Sequence, residues 1–175
     1  MQNIEFKAEL RDPGLARAAL RKAAAKRVGS VAQRDTYYSV LTGRLKRREA
    51  TVDGRGEPIE WIEYERAAMA TPKISRFTIY SESEARERFG EQERPVWVEV
   101  RKEREVWDHR GVRVHLDEVE GLGAFVEFEA LVTPKRNVAR CRELLDELRS
   151  LLGPSMGEAV SAGYADLLAA PAEGG

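Results

Sequence analysis

The chain opens on a two-residue alternation. Residues 2–10 interleave apolar side chains such as Ile4 and Phe6 with polar ones at Asn3, Glu5 and Lys7, which predicts a strand. Asp12 and Pro13 then read as an N-cap and first helical turn, and an Ala-, Arg- and Leu-rich stretch predicts a helix to about Val28. Residues 31–41, rich in β-branched and aromatic types, predict a second strand. Thr42-Gly43 supplies a turn, and residues 44–52 the returning strand. A Gly-rich loop at 53–58 precedes a strand at 60–67, and Pro72 precedes another at 74–80. Ser81 as N-cap, Glu84 completing a capping box and Gly90 as terminator predict a helix between them. Residues 96–107, 112–119 and 124–132 read as three further strands. Pro134 predicts the start of a helix to about Leu152, with a shorter helix over 158–168 and a frayed end at 171–175. About eight strands joined by short turns predict an α+β chain: an eight-stranded antiparallel β-barrel with peripheral helices, residues 1–170 forming one domain ahead of a flexible tail.

The polar positions of these strands carry an unusual load. Glu5 and Lys7 share a face beside Asn3; Arg44, Lys46 and Arg48 form a second row. Lys102 and Arg104 form a third, Arg113, His115 and Asp117 a fourth, and Glu127 and Glu129 a fifth. Side chains two residues apart point the same way, so each row is one stripe. Ile4, Phe6, Val112, Val114, Leu116, Val126 and Phe128 alternate with them. On one strand alone, an apolar face on a core and a charged face in water is the default. Five strands together, with helices available to cover the apolar side, turn the charged stripes into the barrel. Such an interior must be hydrated and paired. Its basic groups would attract a polyanion, and its carboxylates would repel that anion unless a hard cation lay between them. Opposed basic and acidic rows therefore predict a metal–polyphosphate site.

Composition narrows the field. The 175 residues suit one domain. No run of 18 apolar residues predicts a membrane span, and the N-terminus lacks the apolar core of a signal peptide. One cysteine, Cys141, rules out an internal disulfide framework and fits a reducing cytoplasm. With 34% charged residues and a net charge of -1, the chain lacks the basic excess of a nucleic-acid binder.

Seven segments in order resemble the CYTH family, which includes class IV adenylate cyclases and thiamine triphosphatases. Asn-Ile-Glu-Phe-Lys at 3–7 is similar to the family's Glu-x-Glu-x-Lys signature, and residues 33–38 to its second strand. Residues 43–49 resemble its basic strand, followed by 62–66, 102–104, 113–117 and, most specifically, 118–129. The resemblance covers nearly the whole chain and implies an eight-stranded triphosphate tunnel. It implies that Lys7, Arg44, Lys46, Arg48, Arg66, Lys102, Arg104 and Arg113 grip phosphates, with Lys7, Arg48, Lys102 and Arg113 carrying catalysis. Glu5, Asp117, Glu127 and Glu129 would hold one or two Mg²⁺ or Mn²⁺ ions. Asn3 departs from the signature's first Glu and offers a neutral ligand there. Tyr164 is similar to a family tyrosine that would close one mouth of the tunnel. The style of the motifs is closest to the cyclase-like branch, which implies conversion of ATP to cyclic AMP and pyrophosphate. Hydrolysis of thiamine, nucleoside or inorganic triphosphate is the alternative, and a non-catalytic polyphosphate- or nucleotide-binding module a second. No nucleic acid or membrane partner is expected; the residues leave the oligomeric state open, and the resemblance favours a homodimer.

Other residues have plainer readings. His115 suits either proton transfer or a structural place in a charged network. Cys141 reads as inert core, Gly121 and Gly123 as a turn, and Trp61, Trp97 and Trp107 as outer packing.

Overall fold

The computed structural model describes residues 1–66 and 72–170. Its strands are β1 (Gln2–Leu10), β2 (Lys26–Tyr38), β3 (Arg44–Val52), β4 (Arg55–Gly56), β5 (Glu60–Arg66), β6 (Lys73–Ser81), β7 (Val96–His109), β8 (Val112–Val119), β9 (Gly123–Leu131) and β10 (Met156–Ala159). The helices are α1 (Pro13–Lys22), α2 (Glu82–Phe89), α3 (Val138–Leu152) and α4 (Tyr164–Ala169). Eight strands close an antiparallel barrel in the order β1-β6-β5-β3-β2-β7-β8-β9, with β9 pairing back to β1. The short β4 extends the β3 hairpin, and β10 adds to the second half of β1.

Register decides which face each side chain takes, because directly opposed residues share a face. Glu5 opposes Glu129 and Lys7 opposes Glu127. Glu127 also opposes His115, Asp117 opposes Arg104, and Arg48 opposes Asp35. All these lie inside. The alternating apolar set faces out, where Ile4, Phe6, Val114, Leu116, Val126 and Phe128 pack with Leu20 of α1 and with Leu144, Leu145 and Leu148 of α3. The principal hydrophobic core is thus between the barrel wall and its helices, and the lumen is left to the charges.

Three helix boundaries depart from the sequence expectation. The first helix stops at Lys22, not near Val28: Ala24 takes φ 56° and the chain turns into β2, whose Lys26 opposes Asp108 of β7. Long-range pairing there overrides the helix propensity of the alanines. Pro134 sits in a turn closed by reciprocal Thr133–Arg136 backbone bonds of 2.9 and 3.0 Å, so α3 begins instead at Val138, capped by Asn137, whose side chain accepts from the Arg140 amide at 2.9 Å. The helix expected over 158–168 is divided, because Met156–Ala159 is recruited as β10 and only Tyr164–Ala169 is helical. The capping box at Ser81 and Glu84 is present, and Gly90 ends α2 with φ 80°, a left-handed conformation that suits glycine. The expected tail at 171–175 lies outside the described residues. No helix among the described residues is long and apolar enough to cross a membrane.

Phe128 is fully buried and stacks on Phe6 at 5.7 Å. Phe128→Ala should lower stability by about 3–5 kcal/mol through lost burial and the cavity left behind. Urea denaturation would measure this, and a loss below about 1 kcal/mol would mean that the helix–wall interface is not the main core.

Candidate active site

The barrel encloses a cavity of about 610 Å³. Its inner end is organised by an anion. Asp35, on the inner face of β2, is 1% exposed. It accepts from Lys46 Nζ at 2.8 Å and from both Nε and Nη2 of Arg48 at 3.0 and 3.2 Å. Gln33 donates to it at 3.0 Å, and Lys102 Nζ lies 3.9 Å away. Burial pushes the Asp35 carboxyl up, but Lys46, Arg48 and Lys102 together outweigh it and hold Asp35 well below the usual carboxylate range. Lys102 shows the reverse imbalance. Burial, and then the adjacent Arg104, outweigh Asp35 and Asp117, and its ammonium is pulled down to about 7.

A second anion anchors the neighbouring strands. Asp117 receives a fork of 2.7 Å bonds from Arg104 Nε and Nη2, and a third 2.7 Å bond from the Tyr164 hydroxyl. Tyr164 is 5% exposed and closes this end of the barrel. Lys7 Nζ lies 4.1 Å from its ring centroid and Lys102 Nζ 5.1 Å. The chain before α4 joins the closure: the Ser161 carbonyl accepts from Lys73 Nζ at 2.7 Å, and the Ala162 carbonyl from Lys7 at 3.3 Å.

Opposite the cations stands an acidic wall. His115, Glu127 and Glu129 each present one ligand atom, all within 4.8 Å of one another. Glu5 faces Glu129 in register, and Asn3 also lines the cavity. Burial pushes Glu127 up, but His115, Lys7 and Arg104 hold it well below the usual range. Burial, Glu127 and Glu5 push Glu129 well above it. Burial and Arg104 lower His115 and favour its neutral form. Two buried atoms, Asn3 Oδ1 and His115 Nδ1, find no hydrogen-bond partner among the described residues. Carboxylate oxygens grouped with an unsatisfied amide oxygen and an imidazole fit a divalent cation.

A family profile for the CYTH domain matches residues 1–164. The chain belongs to the CYTH family. Its barrel superposes on the PH1012 protein of Pyrococcus horikoshii with a TM-score of 0.74 at 20% identity, over 94% of this chain and 98% of that one. A candidate adenylate cyclase from Vibrio parahaemolyticus gives 0.69 at 17% identity, over 96% and 98%. HpAC1 of Hippeastrum, an adenylyl cyclase candidate with a dominant triphosphatase activity, gives 0.61 at 14%, over 95% and 94%. No curated protein matches the chain.

In this CYTH barrel Lys7, Lys46, Arg48, Lys102 and Arg104 share the cavity with Glu5, Glu127 and Glu129. Asp117 is held by Arg104 and Tyr164 and does not line the cavity. Arg44 sits half-exposed at the closed rim, 2.7 Å from Asp166 and over the Trp97 ring at 5.0 Å. Trp97 is therefore a rim residue, whereas Trp107 is buried in the outer core and Trp61 stacks outside on Tyr38. Arg113 keeps its inner register opposite Glu129, yet its side chain is 48% exposed and lies 3.7 Å from Asp108. The side chain of Arg66 lies outside the described residues. Sequence reasoning passed over Asp35 and Lys73. The signal for Asp35 was its place between Gln33 and Tyr37 on one face of β2; Lys73 was masked by the adjacent Pro72.

Asp35→Asn would crowd Lys46, Arg48 and Lys102 around a neutral group. It should cost about 3–5 kcal/mol in urea denaturation at neutral pH. Because folding lowers this carboxyl's pKa, its stabilisation is present above about pH 4 and is lost as pH falls through the depressed value. The variant should therefore lose less stability on acidification than the parent. An unchanged urea midpoint would show that Asp35 does not hold the cations together.

Proposed function

We propose that this CYTH chain is a metal-dependent enzyme acting on a triphosphate inside the barrel, and that its reaction is cyclisation of ATP to cyclic AMP and pyrophosphate. The observation carrying this reading is one cavity that sets Lys46, Arg48, Lys102 and Arg104 against Glu5, Glu127 and Glu129. The cations cluster towards the end closed by Tyr164, so the distal phosphates would lie there and the head group towards the open end. Attack by the ribose 3′ oxygen on the α-phosphorus breaks the bond to the bridging oxygen. The departing pyrophosphate is then born among preorganised cations, which stabilise charge where it develops. Lys102, at about 7, would gain its proton as the phosphates arrive. His115, buried and with its Nδ1 3.7 Å from Glu127 but without a hydrogen bond among the described residues, would accept the hydroxyl proton. Glu5, Glu127 and Glu129, with Asn3, would hold Mg²⁺ or Mn²⁺, which offsets charge on the phosphate oxygens. The second reading is hydrolysis of the same triphosphate, supported by the dominant triphosphatase activity of HpAC1.

The test is incubation with ATP, thiamine triphosphate and inorganic triphosphate, each with Mg²⁺ or Mn²⁺, followed by chromatography. Cyclic AMP with pyrophosphate upholds the first reading, and orthophosphate the second. Tight binding without product from any substrate would instead make the chain a binding module. Under either enzymatic reading Arg48→Ala should lower kcat/KM by about a hundredfold.

Burial, Glu127 and Glu5 keep Glu129 protonated above the usual carboxylate range, so a cation must displace that proton. Mn²⁺ affinity, followed by electron paramagnetic resonance, should thus go on rising with pH beyond that range, and Glu129→Gln should flatten the rise. A pH-independent affinity in the parent would remove Glu129 from the metal site.

A further inference from the structure

Lys46, Arg48 and Lys102 line the cavity, and Asp35, on which all three converge, does not. Gln33 and Tyr37, its neighbours on the inner face of β2, do reach the cavity. Asp35 is therefore set back behind its own cations, so that a ligand meets their outer side while the carboxylate holds the inner one. Arg48 gives it both Nε and Nη2, and Lys46 Nζ bonds it while also lying 3.4 Å from the Tyr37 hydroxyl. Such bonds fix where a guanidinium and an ammonium point before a phosphate arrives, which reduces the ordering that binding must supply. The charge of Asp35 acts as well as its geometry. A carboxylate separated from a phosphate by one interposed cation still repels it, by the equivalent of about tenfold or more in affinity at an effective dielectric of about 20.

That repulsion weakens the hold on substrate and product alike, and the product is where it matters. Breaking a triphosphate leaves a phosphate anion where the cations are densest. Cations without a counter-charge would retain it, and slow release limits turnover however fast the chemistry is. We infer that Asp35 is a positioning residue that also sets how firmly the lumen holds its phosphate product, which is pyrophosphate in the cyclising reading. This rests on the triphosphate reading above and adds the release step to it. Asp35 aligns Lys46 and Arg48 for the incoming chain and, by offsetting part of their charge, lets the shorter anion leave.

Calorimetry with Mg²⁺ and pyrophosphate tests the inference. Asp35→Asn keeps the shape of the side chain and removes its charge, and should bind pyrophosphate at least about tenfold more tightly than the parent. Asp35→Glu keeps the charge and should stay within about threefold of the parent. A residue that only held the fold together would move affinity the other way, since loosened cations grip less. Because Asp35→Asn is the less stable chain, the same comparison is made on folding. Pyrophosphate should raise its urea midpoint by more than it raises the parent's, and should restore the folded signal if the variant is unfolded without ligand. Unchanged or weaker pyrophosphate binding by Asp35→Asn, an equal gain in both variants, or a variant that stays unfolded with saturating pyrophosphate would overturn the role of Asp35 and leave the triphosphate site standing. A parent chain that binds neither pyrophosphate nor inorganic triphosphate would overturn the triphosphate reading as well.

Discussion

A charge taken out of water must be matched or neutralised, and the interior of this barrel is arranged around that requirement. Asp35 and Asp117 are the fixed points. Each is almost completely buried, and each gathers donors from strands that the sheet order has made neighbours. Asp35 ties β2 to β3 through Lys46 and Arg48, and Asp117 ties β8 to β7 through Arg104. The bonds run across strand pairs, so they reinforce register where a one-residue slip would turn every charge into the apolar outer layer. The outer layer imposes the same choice from the other side, since Ile4, Phe6, Val114 and Phe128 find their helices in only one register. Fold and site are therefore selected by one alternation read on two faces.

Pairing in the lumen is uneven, and that gives the site its capacity for ligand. Arg104 is held by a two-pronged bond to Asp117, which with Glu127 outweighs burial and keeps it charged. Lys102 stands 3.9 Å from an anion already engaged by two other cations. On the facing wall, Glu127 keeps its charge by drawing on His115, Lys7 and Arg104, while Glu129 is left holding a proton. The groups least satisfied within the protein thus lie on both sides of one cavity. They are the ones with most to gain from a bound anion and a bound cation arriving together.

Much of this was legible in the sequence because a strand's two-residue period is insensitive to what lies outside it. The rows at 44–48, 102–104 and 127–129, and the apolar set between them, needed only the alternation to be placed on opposite faces. The misread segments depend on distant partners. Residues 26–30 became strand through pairing with the end of β7, and Met156–Ala159 became strand because the end of β1 was available as an edge. Local propensity carries no trace of either partner. The same blindness hid Asp35, whose importance lies in facing Arg48 across the sheet, and it made Arg113 look interior when its strand begins at the barrel rim.

Asn3 is where these strands of reasoning meet. A glutamate there would add a negative charge to a wall on which burial, Glu127 and Glu5 already push Glu129 well above the usual carboxylate range. An amide contributes an oxygen without that repulsion. Left unsatisfied, a buried polar atom of this kind costs about 1–3 kcal/mol, and Asn3 Oδ1 finds no partner among the described residues. A structural role alone would favour a residue whose polar atoms are bonded within the fold. The orphaned oxygen instead lines the same cavity as Glu5 and Glu129, where a cation would satisfy it and displace the proton that Glu129 retains. Asn3 would thus present an oxygen to the acidic wall without adding to its charge.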